Sequence, residues 1–141
     1  NAAFAGIDFE HETLHAVLLR HHVRMDEPTF FSWLGVTMYL IEDAIDAVLG
    51  SVAMFPAGSE IVLTFEPTAG DAPSPLAQHT ASLGEPWVSY FEPDAMEAKL
   101  IGAGVSRVQF LSPAEAMERY FQQRPGELPA PKRTNILCAM L

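Results

Sequence analysis

Positive charge is scarce in this chain. Eight Lys and Arg stand against eighteen Asp and Glu, giving a net charge of −10 and a pI near 4.7. That balance argues against nucleic acid or an anionic membrane surface as partner, because both select basic patches. The acidity is spread along the chain and reads as a solvated surface. Cysteine is scarcer still: Cys138 is the only one, so no internal disulfide can form, which fits a reducing compartment. No apolar run approaches the length that spans a bilayer. The opening NAAFAG lacks the charged start and long apolar core of a signal peptide, and the expected location is the cytoplasm. Also missing is any GxGxxG-like run of the kind that cradles a pyrophosphate. Apolar residues are plentiful at 49%, with 10% aromatic, which excludes a disordered or low-complexity chain. The 141 residues suit one domain or part of a larger one.

The pattern of apolar residues predicts alternating strands and helices. Phe4–Phe9 reads as a short strand. Residues 10–21 carry Leu14, Val17 and Leu18 at helical spacing. Thr29–Val36 reads as an apolar strand with little alternation, as in a strand buried on both faces. Glu42–Phe55 places Ile45, Val48, Leu49 and Val52 on one helical stripe, stopped by Pro56-Ala57-Gly58. Glu60–Phe65 is the next strand, and the Pro-rich stretch 66–82 reads as a crossover loop. A helix over Pro93–Ala103 closes on Gly102 and Gly104, and Val105–Leu111 is a strand. Ser112-Pro113-Ala114-Glu115 has the form of a capped helix start, leading a helix to about residue 123. Residues 124–132 form a Pro-rich loop, and Thr134–Leu141 is a last strand. The order predicts an α/β sheet. Parallel crossover sheets bind ligands at the carboxyl ends of their strands, so Trp33, Thr37 and Tyr39 form a candidate ligand wall. By composition alone Trp33 and Tyr39 read more readily as core, and only their position at a strand end brings the two readings level.

His11-Glu12-Thr13-Leu14-His15 matches HExxH, in which two His one helical turn apart bind zinc and the Glu acts as base. A zinc-binding helix normally runs well before its first His, whereas here a strand end stands just upstream. The competing reading is a solvated first turn, with Glu10 and Glu12 favoured by the helix dipole. His21 and His22 are adjacent and point to different helix faces, which disfavours a metal pair. Asp8 reads as a helix N-cap. Cys138 lies in an apolar strand and reads as inert core.

Four blocks together resemble a known family: IDFEHETL around Asp8, FFSWLGVTMYL from Phe30, GEPWVSYFEPDAMEAKLIGAGV from Gly84, and Arg119–Phe121. They are similar to the actinobacterial S-adenosylmethionine-dependent methyltransferases related to leucine carboxyl methyltransferases. The resemblance covers essentially the whole chain but only the C-terminal half of such a protein. It implies a Rossmann-like class I methyltransferase sheet, mostly parallel, with an antiparallel strand at the far edge. On this mapping Thr29–Val36 and Glu60–Phe65 are the fourth and fifth strands, and the last two strands form a hairpin-like pair. The resemblance also implies that Asp8 receives the adenine amino group with Phe9 beside the ring. A carboxylate accepting from an exocyclic amine and an aromatic on a purine face are sensible chemistry. Trp33, Leu34 and Gly35 would line the methionine side of the cofactor, with Thr37 and Tyr39 toward the acceptor. Some relatives carry Glu where this chain has Leu34, a departure that removes one polar contact.

Residues 1–141 are thus expected to form a single, partial methyltransferase domain whose N-terminal, glycine-loop half has been removed or belongs to another chain. The cofactor is expected to be S-adenosylmethionine, and the partners a small-molecule methyl acceptor and either the missing half or a second copy covering the open sheet edge. The reaction expected of the intact protein is methyl transfer to oxygen. A carboxylate acceptor is already ionised and needs no base, so no catalytic residue is assigned. Two other readings stand beside this one: a non-catalytic fragment that binds no cofactor, and a zinc hydrolase built on His11, Glu12 and His15.

Overall fold

The computed structural model describes residues 2–68, 74–122 and 132–141. Its elements run α1 (Leu14–Arg20), β1 (Phe30–Trp33), a single 3-10 turn (Thr37–Tyr39), α2 (Glu42–Val52), β2 (Glu60–Thr64), α3 (Pro75–Ser82), α4 (Pro93–Ala103), β3 (Arg107–Phe110), α5 (Pro113–Ala116, continued as a π-helical turn over Met117–Phe121) and β4 (Ile136–Met140). The four strands form one sheet in the order β1-β2-β4-β3. β1 and β2 are parallel, with Phe31 opposite Ile61 and Trp33 opposite Leu63. β4 runs antiparallel to both β2 and β3, so three strands point one way and one the other. The expected α/β arrangement is therefore present. The antiparallel strand is the last in sequence and sits one place in from the far edge, with β3 outside it and forming the expected hairpin-like pair.

The core lies on one face of this sheet. Ile61, Leu63, Leu137 and Ala139 point into it from the strands, and Ile45, Val48, Leu49 and Val52 meet them from α2. Met96 and Leu100 of α4 complete the layer. A fully buried side chain of this kind contributes about 1.5–3 kcal/mol, so together these residues outweigh any single polar contact. Glu42 and Asp43 in the first turn of α2 suit its positive end. Gly104 ends α4 in a left-handed conformation at φ 104°, which a residue with a Cβ adopts only under strain. Lys99 reaches from α4 to Glu42 (2.6 Å) and Asp46 (2.8 Å) and ties the two helices together.

Several expectations need correction. Phe4–Phe9 is not a strand: it pairs with no described strand and leads into a turn at Phe9 and Glu10. Thr13 caps α1 by accepting from the Ala16 amide, so the helix begins four residues later than its amphipathic pattern suggested. β1 is half the predicted length and is not buried on both faces; Phe30 is 63% exposed. The stretch read as a crossover loop holds α3, which Ser74 caps and Pro75 opens. Cys138 is half-buried on the second face of the sheet, not in the core, and burial followed by the charge of Glu60 pushes its thiol pKa up. The predicted loop 124–132 lies, but for Lys132, outside the described residues, as does the end of the predicted helix at 123.

Candidate functional site at the carboxyl ends of the parallel strands

β1 and β2 both end on the same side of the sheet, and one side chain joins their ends. Thr64 closes β2. Its hydroxyl oxygen accepts from the Gly35 amide at 2.7 Å, and its carbonyl accepts from the Thr37 hydroxyl at 2.8 Å. Gly35 is at φ 71°, the left-handed region, and a Cβ there would meet nothing within 4 Å. The backbone therefore turns sharply past the end of β1 and leaves open space beside it. Leu34 projects outward and is exposed, whereas Thr37 is 1% exposed with its hydroxyl committed to Thr64. Thr37 thus positions the rim and does not present a free hydroxyl to a ligand.

Trp33 is 9% exposed and belongs to the core cluster. Phe9 packs against it with ring centroids 6.4 Å apart, which brings the residue-8–9 turn to the end of β1. The Trp33 indole nitrogen is buried and has no partner among the described residues. Tyr39 meets Trp87 edge-on at 6.4 Å, and the segment after α3 is anchored here by the Val88 amide on the Met38 carbonyl at 2.8 Å. Asp8 is exposed. One of its oxygens accepts from the Glu10 amide at 3.0 Å, and the other lies 2.9 Å from Nδ1 of His11. The Glu10 amide, aided by His11, holds the carboxyl below its usual range. The Asp8 backbone carbonyl also accepts from the amides of residues 11 and 12, so the N-cap-like role and an available carboxylate coexist.

Beside this turn lies a groove of about 420 Å³ lined by Phe9, Glu10, Glu12, Ile41, Asp43 and Ala44, among others. Its apolar floor and acceptor-rich walls suit a flat ring carrying amino groups. Glu12 is held bidentately by Arg20 at 2.8 and 3.4 Å, and that contact lowers its pKa. This geometry removes the basis of the HExxH reading. His11 stands in the turn before α1, not on the helix with His15, so the two imidazoles do not share a helix face. Among the described residues no three His, Cys, Asp or Glu side chains gather as a metal cluster.

Sequence reasoning passed over Thr64, Glu66, Trp87 and Arg133. Glu66 follows β2 and is half-buried; burial raises its pKa against the opposing pull of Arg133 and a hydrogen bond with Asn135. A polar residue ending an apolar strand was the available signal for Thr64. Trp87 and Arg133 become visible only when the chain is folded.

The family model for leucine carboxyl methyltransferase matches residues 1–53. The match runs from the Asp8 turn through α1 and β1 to one residue past α2, and so contains every residue assigned to the site by resemblance. No curated protein matches the chain in sequence. Solved methyltransferases share the fold. Human N-acetylserotonin methyltransferase, in complex with S-adenosylmethionine, superposes with a TM-score of 0.50 at 14% identity, covering 82% of this chain and 31% of its own. A candidate O-methyltransferase from Nostoc punctiforme gives 0.51 at 12% identity, covering 82% of this chain and 33% of its own. A Bordetella parapertussis protein described as a possible exported protein gives 0.51 at 13%, covering 83% and 41%. The chain spans about a third of the length of the first two structures. No helix among the described residues is long and apolar enough to cross a membrane.

Proposed function

We propose that this chain is part of an S-adenosylmethionine-dependent methyltransferase and supplies one side of its cofactor site. The observation that carries the reading is the juxtaposition of the Asp8–Phe9 turn with the left-handed bend at Gly35, both within the family match. The residues suit the cofactor. The Asp8 carboxylate has lone pairs left after its two local contacts and can accept from an adenine amino group. Phe9 offers a ring at the mouth of the acceptor-rich groove, and the open space beside Gly35 admits a ligand close to the backbone. Leu34, exposed at the same bend, gives the methionine portion an apolar neighbour. Trp33 supports these groups from below.

When bound, S-adenosylmethionine supplies a methyl group on a sulfonium, open to in-line displacement. The contribution of this chain is alignment and exclusion of water, the main work in such a transfer. Tyr39 and Trp87 stand on the acceptor side. Methyl transfer to oxygen fits this arrangement, and a carboxylate acceptor would need no proton removed. The glycine loop that would grip the rest of the cofactor is absent from residues 1–141, so the chain alone should transfer no methyl group. We assign its place to the cytoplasm. The outer edge of β1, unpaired among the described residues, should be covered by the segment bearing the glycine loop or by a second copy.

Calorimetric titration of S-adenosylmethionine into the longest product of the reading frame tests the assignment. Asp8→Ala should weaken binding by about 1–3 kcal/mol, the scale of an unpaired polar group. Unchanged affinity in that variant would remove Asp8 from the site.

A further inference from the structure

A second cleft, of about 270 Å³, opens where β2 ends and the chain enters β4. Glu66, Trp87, Lys132, Arg133 and Asn135 line it, with Ser74 and Leu76 from the start of α3. Positive charge is rare in this molecule, and four of the eight Lys and Arg are committed to ion pairs. Arg20 is paired with Glu12, Arg24 with Asp26 and Glu27, Lys99 with Glu42 and Asp46, and Arg119 with Glu115. Lys132 and Arg133 form no ion pair within 4.0 Å among the described residues, yet stand side by side at one cleft. Three other clefts among the described residues offer nothing comparable: one carries Arg119 alone, one is lined by Glu10, Glu12 and Asp43, and one holds Glu85.

Trp87, one of the residues lining the cleft, also carries an unmet donor. The Trp87 indole nitrogen is buried and has no partner among the described residues. A buried N–H without an acceptor costs about 1–3 kcal/mol and is rarely left so without a reason. An acceptor arriving from solvent would satisfy it. Ser74, whose hydroxyl oxygen caps α3, places the positive end of that eight-residue helix at the same wall.

We propose that this cleft binds a small oxyanion, a carboxylate or a phosphate, held by Lys132, Arg133 and the indole N–H of Trp87. Arg133 offers the planar fork that matches two oxygens, Lys132 a point charge, and Trp87 a single directed hydrogen bond. In a chain of net charge −10 an anion is repelled from most of the surface, so a cationic cleft gathers it selectively. Among the described residues Glu66 is the one carboxylate lining the cleft. It competes with the ligand for Arg133, and this competition sets selectivity against weakly binding anions. The inference does not rest on methyl transfer: it needs only the cleft.

Two-dimensional NMR of the 141-residue chain reads the site directly, because Trp33 and Trp87 give separate indole N–H signals that Trp87→Phe assigns. Sodium acetate and inorganic phosphate are titrated separately against sodium chloride at constant ionic strength. The Trp87 signal should move downfield saturably with acetate, phosphate or both, while Trp33 stays in place. The arm that saturates at the lower concentration identifies the preferred oxyanion. Lys132→Gln with Arg133→Gln should weaken binding at least tenfold without disturbing the Trp33 signal, since both side chains are exposed. Glu66→Gln should tighten it. Linear drift no greater than with chloride, or saturation unaltered by the double variant, would overturn the proposal.

Discussion

The two ends of the β1–β2 pair are held by similar means and left in different states. At the amino end, Ser59 is fully buried; its hydroxyl donates to the Pro56 carbonyl at 2.8 Å and accepts from the Thr29 amide at 3.1 Å. Its carbonyl accepts from the Leu141 amide, so one serine gathers the starts of β1 and β2 and the end of β4. At the carboxyl end Thr64 plays the matching part for Gly35 and Thr37. There, however, the indole nitrogens of Trp33 and Trp87 have no partner among the described residues, Gly35 is bent into the left-handed region, and burial raises the Glu66 pKa. Polar satisfaction at one end and its lack at the other separates a structural clasp from a place prepared for a ligand.

Four substitutions sharpen or break that contrast. Leu63→Ala lies between the ends, in the part of the core that both share, and should cost about 2–5 kcal/mol in chemical denaturation. A cost below that would mean the sheet face is less tightly packed than Leu63, with no exposed surface, implies. Ser59→Ala strands the Thr29 amide and should cost about 1–3 kcal/mol while leaving ligand binding at the far end unchanged. Thr64→Val frees the Gly35 amide, which water can reach, so its stability cost should be near 1 kcal/mol. Its larger effect should fall on cofactor affinity, and equal effects from Ser59→Ala and Thr64→Val on affinity would erase the distinction between the ends. Glu66→Gln should have the smallest effect and the opposite sign. The folded-state pKa of Glu66 is raised, so ionising it costs stability as pH rises through that value. The Gln variant should therefore melt at a higher Tm than the parent at pH 7. That gain should vanish below the ordinary carboxyl value of 4.5. A gain that persists in acid would point to packing, not charge.

The alternation of strand and helix was legible because α2 and β2 carry strong apolar patterns, α2 is followed by a stop at Pro56-Ala57-Gly58, and α4 is bracketed by a Pro93-Asp94 start and a Gly104 stop. Phe4–Phe9 misled because a short apolar run resembles a strand whether or not a neighbour exists to pair with it. α3 was hidden by prolines, although Ser74-Pro75 is a regular helix opening. The turn at Asp8 and the bend at Gly35 were not read as such, since both fell inside segments read as strands; the resemblance only singled out their residues. The Thr64 hub and the Lys132–Arg133 cleft were not legible, because each joins residues that are far apart in sequence and ordinary in local context.

The central claim is that the carboxyl end of β1 is one side of an S-adenosylmethionine site. Backbone amide shift mapping with S-adenosylmethionine in the 141-residue chain tests it most directly. The account predicts weak, saturable shifts confined to Phe9 and to Leu34 and Gly35, reduced by Asp8→Ala, with Gly58 and Ser59 unmoved. No saturable shift at these residues at millimolar cofactor, or shifts centred on the Ser59 clasp, would contradict it.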